Sequence, residues 1–543
     1  MDKPKNRSWR LRIWFKLKRI RVMNPKSEVL NSHPKGEPKK VPAKREGPPI
    51  PLDTYGGRVH VEWDPQAAVT PMGQLPFFID FLKTADLFEP WVRDCPLAYT
   101  SPNAPSKTDV LGTLMLSTLS GHRRYAHITT IRCDSVNPKL LGMKKVVSED
   151  SARKAFIGAD DEACAEWLGT NLSRCYELLL YEPWILDADG TIKTLYGHQQ
   201  GAVVGYNPRK PGRPSHVYHT YFAANIRLVL DVEVQPGNQT AACFAQPGLW
   251  EFIDRLSPQA RPAFVRGDCD WGNEGVMQEA EKRGMPYLFK LRKSAKVKAL
   301  MEEAFYRRDW TEAGQGWQGV EESLQLTGWT KKRRVLVLRR EVKGEITEVQ
   351  ENRKRIGYDQ WEFGFVDTLE PARKYEYVVL VTSLEDEILT LAQHYRDRAD
   401  AENVFDELKN QWGWCGYTTH DLGRCQIMAR INALVYNWWS LFVRLAIPTR
   451  HAEAITSRPL LLSAVAKETQ HSGQTTLTLT STHGKSKAAQ RILATLAKFL
   501  RWVRATTEQL SWEERWRVIL SRVFRWFLKG RTLTRPRLLA DTS

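Results

Sequence analysis

The sequence predicts a multidomain α/β protein with helical regions at both ends and a β-rich segment inserted into its α/β core. Three observations predict it. Between about residues 184 and 270, short apolar runs ending in Asp are separated by stretches of helical periodicity, the pattern of strands with intervening helices. Helical spacing of apolar residues dominates before residue 180 and again after residue 409. Between these lies a long Gly-, Gln- and Glu-rich stretch around Trp310, Trp317 and Trp329, followed by runs that alternate as antiparallel strands do.

A chain of 543 residues exceeds one ordinary core, so several domains are expected. Eight Cys occur with no CxxC pair, which argues against a zinc ribbon, an iron–sulfur site or a secreted disulfide framework and for a reducing compartment. No apolar run approaches the eighteen residues of a membrane span, and the N-terminus lacks a signal-peptide core. Net charge is +18, and it is concentrated at the ends. Residues 1–50 hold 15 Lys/Arg against 4 Asp/Glu, and residues 484–543 hold 14 against 4. The body is close to neutral. Two basic ends on a neutral body point to a polyanion, nucleic acid before an anionic membrane.

Residues 1–50 alternate basic clusters with prolines and read as a flexible basic arm. Residues 51–180 read as a helical, DNA-binding N-terminal region, with helices at 75–82, 109–119, 148–157 and 163–180. A turn after Gly121 (His122, Arg123, Arg124, Tyr125) is either a phosphate contact or ordinary solvated charge. Strands are expected at 184–191, 226–234 and 263–268, with helices at 244–256 and 273–283. Residues 181–295 and 373–450 make the α/β core, and 296–372 a β-rich insertion domain with strands at 332–342 and 353–366. A further strand covers 375–383, and a buried core helix covers 430–445. Residues 470–486 read as a Thr/Ser/Gly-rich linker. Basic helices at 488–505 and 511–528 close a helical C-terminal region, 451–543.

The chemistry concentrates in the stretch 394–410. Read as one helix, it places Tyr395, Arg398, Glu402 and Lys409 at about 0°, 300°, 340° and 320°, on one narrow face. A carboxylate flanked by two cations and a phenol suits a phosphate beside a metal ion; a solvated face with i,i+4 pairs is the plainer reading. Asp189 and Asp268 end strands, and with Glu402 they make three carboxylates able to hold two Mg²⁺ or Mn²⁺ ions for phosphoryl transfer. Geometry leaves rivals open: Asp187 shares a strand face with Asp189, Asp270 competes with Asp268, and Asp406 lies near Glu402. The loop holding Arg209, Lys210 and Arg213 is either a grip on the DNA backbone or a hairpin with exposed cations.

Tyr395, Arg398, Glu402 and Lys409 match, at every position and spacing, the Y(2)R(3)E(6)K signature of bacterial insertion-sequence DDE transposases, which this chain resembles over about residues 184–445. Asp189-Gly190-Thr191 matches the family's Asp-x-Thr and favours Asp189 over Asp187; Asp268 matches its second acid. A segment from Tyr196 to Gly201 is similar to a Gly-His-Gln-rich branch. The resemblance implies a ribonuclease-H-like core, Mg²⁺-dependent cut-and-paste transposition, element-end and target duplexes as partners, and a homodimer in a bacterial, nucleoid-associated, cytoplasmic setting. It also makes Trp310, Trp317 and Trp329 candidates for holding a flipped base; packing is their alternative role. A stand-alone metal-dependent nuclease, or a catalytically inactive DNA-binding regulator, is the competing function.

Overall fold

Strand β1 (Ile50–Thr54) pairs with β2 (Gly57–Val61) as an antiparallel hairpin. The hairpin belongs to a unit ending at Ala67. This is a computed structural model, and it describes residues 48–64, 66–99, 101–240, 248–342, 375–481, 484–506 and 510–533. The expected basic arm, apart from its last three residues, lies outside the described residues. So do the expected strand 353–366 and the start of the helix expected at 244–256.

The second unit, residues 68–543, is built on one large mixed sheet. After β3 (Val69–Thr70), the sheet strands are β4 (Ile185–Thr194), β5 (Val203–Val204), β6 (Pro214–Ala223), β7 (Leu228–Pro236), β8 (Phe264–Gly267) and β9 (Tyr287–Lys290). They continue as β10 (Thr311–Gly314), β11 (Trp317–Leu324), β12 (Arg333–Glu341) and β13 (Tyr375–Thr382). Their order is β10-β11-β12-β13-β9-β8-β4-β6, with β5 and β7 both on the outer edge of β6. The β4–β8 and β8–β9 pairs are parallel and all others antiparallel. The β8–β9 crossover is the helix Glu274–Lys282, capped by Asn273, whose Oδ1 accepts from Val276 N at 3.1 Å.

Three expectations are revised here. The strands found within 296–372 do not form a sheet of their own: β12 and β13 pair from Arg334↔Thr382 to Glu341↔Tyr375, and β13 joins β9. The described part of the insertion therefore extends the core sheet. β6 was not anticipated, because Ser215, His216, His219 and Thr220 break its apolar pattern although the strand is buried almost throughout. Residues 470–486 are not a plain linker. They include the end of β14 (Ala466–His471) and all of β15 (Gln474–Leu479), a hairpin turned at Ser472 and Gly473 with φ of 50° and 77°. Left-handed values at both central residues are the turn that suits a two-residue hairpin.

One helix, Leu422–Ala446, is buried along nearly its whole length. Helices Lys107–Leu119 and Asp161–Ser173 pack against it, and so does β7. Its polar side chains on one face serve the free edge of β7. Asn437 accepts from Val229 N at 2.9 Å and donates to Val229 O at 2.7 Å; Gln426 does the same for Val234 N and Val232 O; Arg430 pairs with Asp231 at 2.8 Å. Asn437 and Gln426 thereby occupy backbone groups that would otherwise template another strand. Near the C-terminus, the helix Trp512–Val523 starts at a capping box formed by Ser511 and Glu514.

Candidate functional site

The parallel register sets Ala188 opposite Gly267, so Asp189 and Asp268, one residue further on, sit side by side at about the 4.8 Å interstrand spacing. Side chains in parallel register share a face. Phe264, Leu288, Leu336, Leu338 and Leu380 bury that face against Leu391 and Ala392 of the helix Ile388–Arg396. Asp187 lies on it too, and is already committed: Arg266 of β8 grips it with two hydrogen bonds, at 2.5 and 2.7 Å, and also donates to His394 O. Both members are buried. Arg266 thus ties Asp187 and the sheet to the helix above it, whereas Asp189 has no such close bidentate partner and contacts Arg398 at 3.5 Å. Asp270 is likewise held, by Arg292, while its backbone N–H donates to Asp268 Oδ1 at 3.0 Å.

The stretch 394–410 is two helices, not one. Helix Ile388–Arg396 ends and helix Arg398–Gln411 begins at Asp397, with ψ near −9°. Gln393 Nε2 donates to Asp397 Oδ1 at 2.6 Å and Asp400 N donates to Asp397 O at 3.1 Å, so the break is stitched by its own polar groups. The shared face drawn for a continuous helix holds for Arg398, Glu402 and Lys409 only. Tyr395 reaches the site from the preceding helix. The second helix buries Ala401, Val404, Phe405 and Leu408, a stripe at i, i+3, i+4 and i+7, with Phe405 against Phe222 of β6. Arg227 pairs with Asp400 at 2.8 Å.

Arg398 draws the site together. Its guanidinium lies 2.5 Å from Glu402 Oε1 and 3.5 Å from Asp189 Oδ1. Burial works against its charge, but Asp189, Tyr395, Asp187 and Asp268 outweigh burial and hold its pKa above the ordinary value. Asp189 is pushed up to about 6, by burial first and by Asp268; Arg398 and Lys409 pull the other way. Burial also raises Asp268, opposed by Arg398, and raises the Tyr395 phenol, opposed by the same residue. Glu402 is 61% exposed, so it reaches the site from its open side. Asp406, also exposed, accepts from Asn410 Nδ2 at 2.7 Å.

Among the described residues no group of three His, Cys, Asp or Glu is arranged to hold a metal ion. Arg398 pairs with two of the three expected acids, Glu402 and Asp189. The donor set remains all carboxylate oxygen, which fits Mg²⁺ or Mn²⁺. Two adjacent acids lifted by burial are also groups whose ionised forms a cation would favour.

The remaining expected residues lie apart from the acids. Arg209, Lys210 and Arg213 are exposed on the β5–β6 loop, where Lys210 and Arg213 stand over the Tyr196 ring. That loop enters β6 at the level of Thr194, about 17 Å along β4 from Asp189. The three tryptophans are packed, not presented. Arginines of β12 cover them: Arg339 over Trp310 at 3.7 Å, Arg340 over Trp317 at 4.9 Å and Arg333 over Trp329 at 5.1 Å. Trp317 and Trp329 are buried and Trp310 half-buried, so none offers a free ring to a base.

Sequence reasoning missed the loop after the second helix. Gly413 (φ +67°), Cys415 (φ 61°) and Tyr417 (φ 48°) are all left-handed, at a cost of about 1–3 kcal/mol for each non-glycine. Gly413 and Gly416 lie so close to His122 O and Arg123 O that a Cβ would approach to 2.3 and 2.5 Å. Tyr417 N donates to Arg123 O at 3.0 Å. The turn His122–Tyr125 is thereby locked beside the site. The pattern Gly-Trp-Cys-Gly was the signal available.

Paired acids on adjacent parallel strands, faced by a buried guanidinium, define an α/β protein with a site suited to phosphate and divalent cations. Residues 180–501 match the family model described as transposase DDE domain group 1, and the chain belongs to that family of DNA-recombining enzymes. A solved structure, the cryo-EM piggyBac transposase synaptic complex with hairpin DNA, is 11% identical. The alignment covers 84% of this chain and 87% of that chain at a TM-score of 0.34, a score that defines no shared fold. A search of curated proteins returned no match.

Proposed function

We propose that this transposase cuts the ends of an insertion sequence and joins the freed 3′-hydroxyls to target DNA, with Asp189, Asp268 and Glu402 as its catalytic acids. The observation that carries the reading is Arg398, whose one side chain contacts both Asp189 and Glu402 while its charge acts on Asp268. Three acids drawn from distant parts of the sequence thereby belong to one electrostatic unit. A ribonuclease-H-like core is supported by the order β7-β6-β4-β8-β9, antiparallel as far as β4 and parallel beyond it; Asp189 lies midway along β4, which runs on to Thr194 and does not end at the acid, and Asp268 directly follows β8.

Two Mg²⁺ or Mn²⁺ ions, when bound by these carboxylates, supply the Lewis acidity for in-line displacement at phosphorus. The chain's own residues do the rest. Asp189, with its pKa near 6, is ionised above that pH and would be one of the residues that hold the ions. Arg398 grips a non-bridging phosphate oxygen and keeps both neighbouring acids charged. Lys409 adds a point charge and Tyr395 a hydroxyl donor from the preceding helix. In the first step the water oxygen bonds to phosphorus, the bond to the 3′-oxygen breaks, and that oxygen leaves as a hydroxyl. In the second, this hydroxyl attacks a target phosphodiester and releases a target 3′-hydroxyl. Cutting and joining two ends together calls for two protomers acting on one DNA assembly in the bacterial nucleoid.

The test is incubation of the full chain with Mg²⁺ and a plasmid carrying the coding sequence and its flanking DNA. The reading predicts excision at both flanks and joining of the 3′ ends to a second plasmid. Cutting without joining points to a nuclease, and binding without cutting to an inactive regulator; either result overturns the proposal.

A further inference from the structure

Beyond the acids, three cations on different elements stand without a paired carboxylate among the described residues: Lys193 on β4, Lys409 on the helix Arg398–Gln411 and Arg124 in the turn after Gly121. Lys193 follows Asp189 by four residues on β4, so its side chain leaves the same face about 13 Å further along. Its ammonium donates to Thr418 Oγ1, on the strained loop after the Glu402 helix. Lys409, on the helix that leads into this loop, acts on both Asp189 and Cys415. Arg124, in the turn locked to that loop, acts on Lys193. Among the described residues no carboxylate lies within ion-pair distance of Lys193, Lys409 or Arg124, although most other arginines near the site are paired. Burial holds the Lys193 ammonium below its ordinary pKa and Arg124 adds like charge, with Cys415 and Cys425 opposing. An anion in this place would relieve both effects.

The surroundings say what kind of anion. Lys193, Lys409 and Thr418 are half-buried and Arg124 is exposed, so the group opens to solvent at Arg124 and suits an extended polyanion entering from outside. Lys193 stands about 13 Å along β4 from Asp189 and reaches the loop that follows the Lys409 helix. Lys, Arg and Thr are side chains that position DNA through its phosphates without reading sequence. The loop that supplies Thr418 is held by backbone geometry and by Tyr417, whose hydroxyl hydrogen-bonds Ser117 Oγ at 2.8 Å. The track is therefore preformed.

We infer that Lys193, Thr418 and Arg124 continue from Lys409 as a track for the phosphates of one DNA strand, a few nucleotides from the bond that is cut. The inference rests on the transposase reading and adds to it the path of one strand beyond the acids.

The test uses the full-length chain and a fluorescent duplex taken from the DNA flanking the coding sequence, with affinity measured against salt concentration. Lys193→Gln and Arg124→Gln are each expected to flatten the salt slope by about one unit, and the double variant by about two. Lys193→Arg should keep the slope, and Lys154→Gln, which removes an exposed lysine paired with Asp150, should leave it unchanged. Arg124 is exposed, so its substitution does not endanger folding. If the wild type binds and cuts the duplex but the Arg124→Gln and double variants keep its slope, the track is refuted while the transposase reading stands. If the wild type neither binds nor cuts, both fall together.

Discussion

Replacing Arg398 by Gln perturbs the site where its electrostatics are most interdependent. The side chain is 9% exposed and pairs with Asp189, 19% exposed, and Glu402, 61% exposed. Breaking a buried ion pair by removing one partner costs about 3–5 kcal/mol. Here Glu402 can turn to water, and Asp187 keeps Arg266, so the penalty falls mainly on Asp189 and Asp268. A net cost of about 2–3 kcal/mol at pH 8 follows, or about 2–3 °C in Tm for a chain of this size. The pH dependence gives the reasoning its edge. Asp189 already has a folded pKa raised to about 6, and loss of the guanidinium raises it further. A carboxyl raised on folding loses stability as pH rises through its folded value. The variant's deficit should therefore be full at pH 8 and shrink to about 1 kcal/mol or less at pH 5, where Asp189 is protonated. Thermal unfolding of both proteins at the two pH values measures this. A deficit of equal size at pH 5 and pH 8, or none at either, would refute the electrostatic account of the site.

Other expectations follow from the same structure. Because Asp189 must lose its proton to act as a ligand, apparent Mn²⁺ affinity should be flat above pH 6 and fall about tenfold per unit below it; calorimetric titration at pH 5 and 7 checks this. Glu233 on β7 is pushed up to about 7 by burial and then by Asp231, so its charge costs stability increasingly between pH 4.5 and 7. Glu233→Gln should thus stabilise the protein by about 3 kcal/mol at pH 8 and hardly at all at pH 4, which urea titration at both pH values will show. Asn437→Leu leaves the Val229 N–H and carbonyl without partners and should cost about 2–4 kcal/mol, measured as a drop in urea midpoint at unchanged slope.

The proposed acids Asp189, Asp268 and Glu402 can be picked out in the sequence because their signals are local. A strand pattern ending in Asp189-Gly190-Thr191, another ending before Asp268, and the spacing from Tyr395 to Lys409 each occupy fewer than twenty residues. What was not legible depends on distant partners. Nothing near Asp187 announces that Arg266 will neutralise it, yet that pairing separates the two aspartates of β4. The break at Asp397 occurs in Arg-Asp-Arg, with neither Gly nor Pro to mark it, because its bonds come from Gln393 and Asp400. The insertion strands look self-contained in sequence, but β12 finds β13 across the residues between Glu341 and Tyr375. The tryptophans are covered by arginines of β12, and a strand's facing partners cannot be read from composition. Lys193 could have been found by parity, four residues from Asp189 on one strand, had a strand of ten residues been anticipated there.

The most direct test of the central claim is Glu402→Gln assayed on DNA carrying both element ends. Glu402 is exposed and its substitution keeps the helix and the hydrogen-bonding shape of the side chain, so folding and DNA binding should persist. End cleavage and strand transfer in Mg²⁺ should both fall by more than about a hundredfold. Undiminished cleavage in that variant, with Asp406→Asn inactive in its place, would contradict the assignment of the third acid and the account built on it.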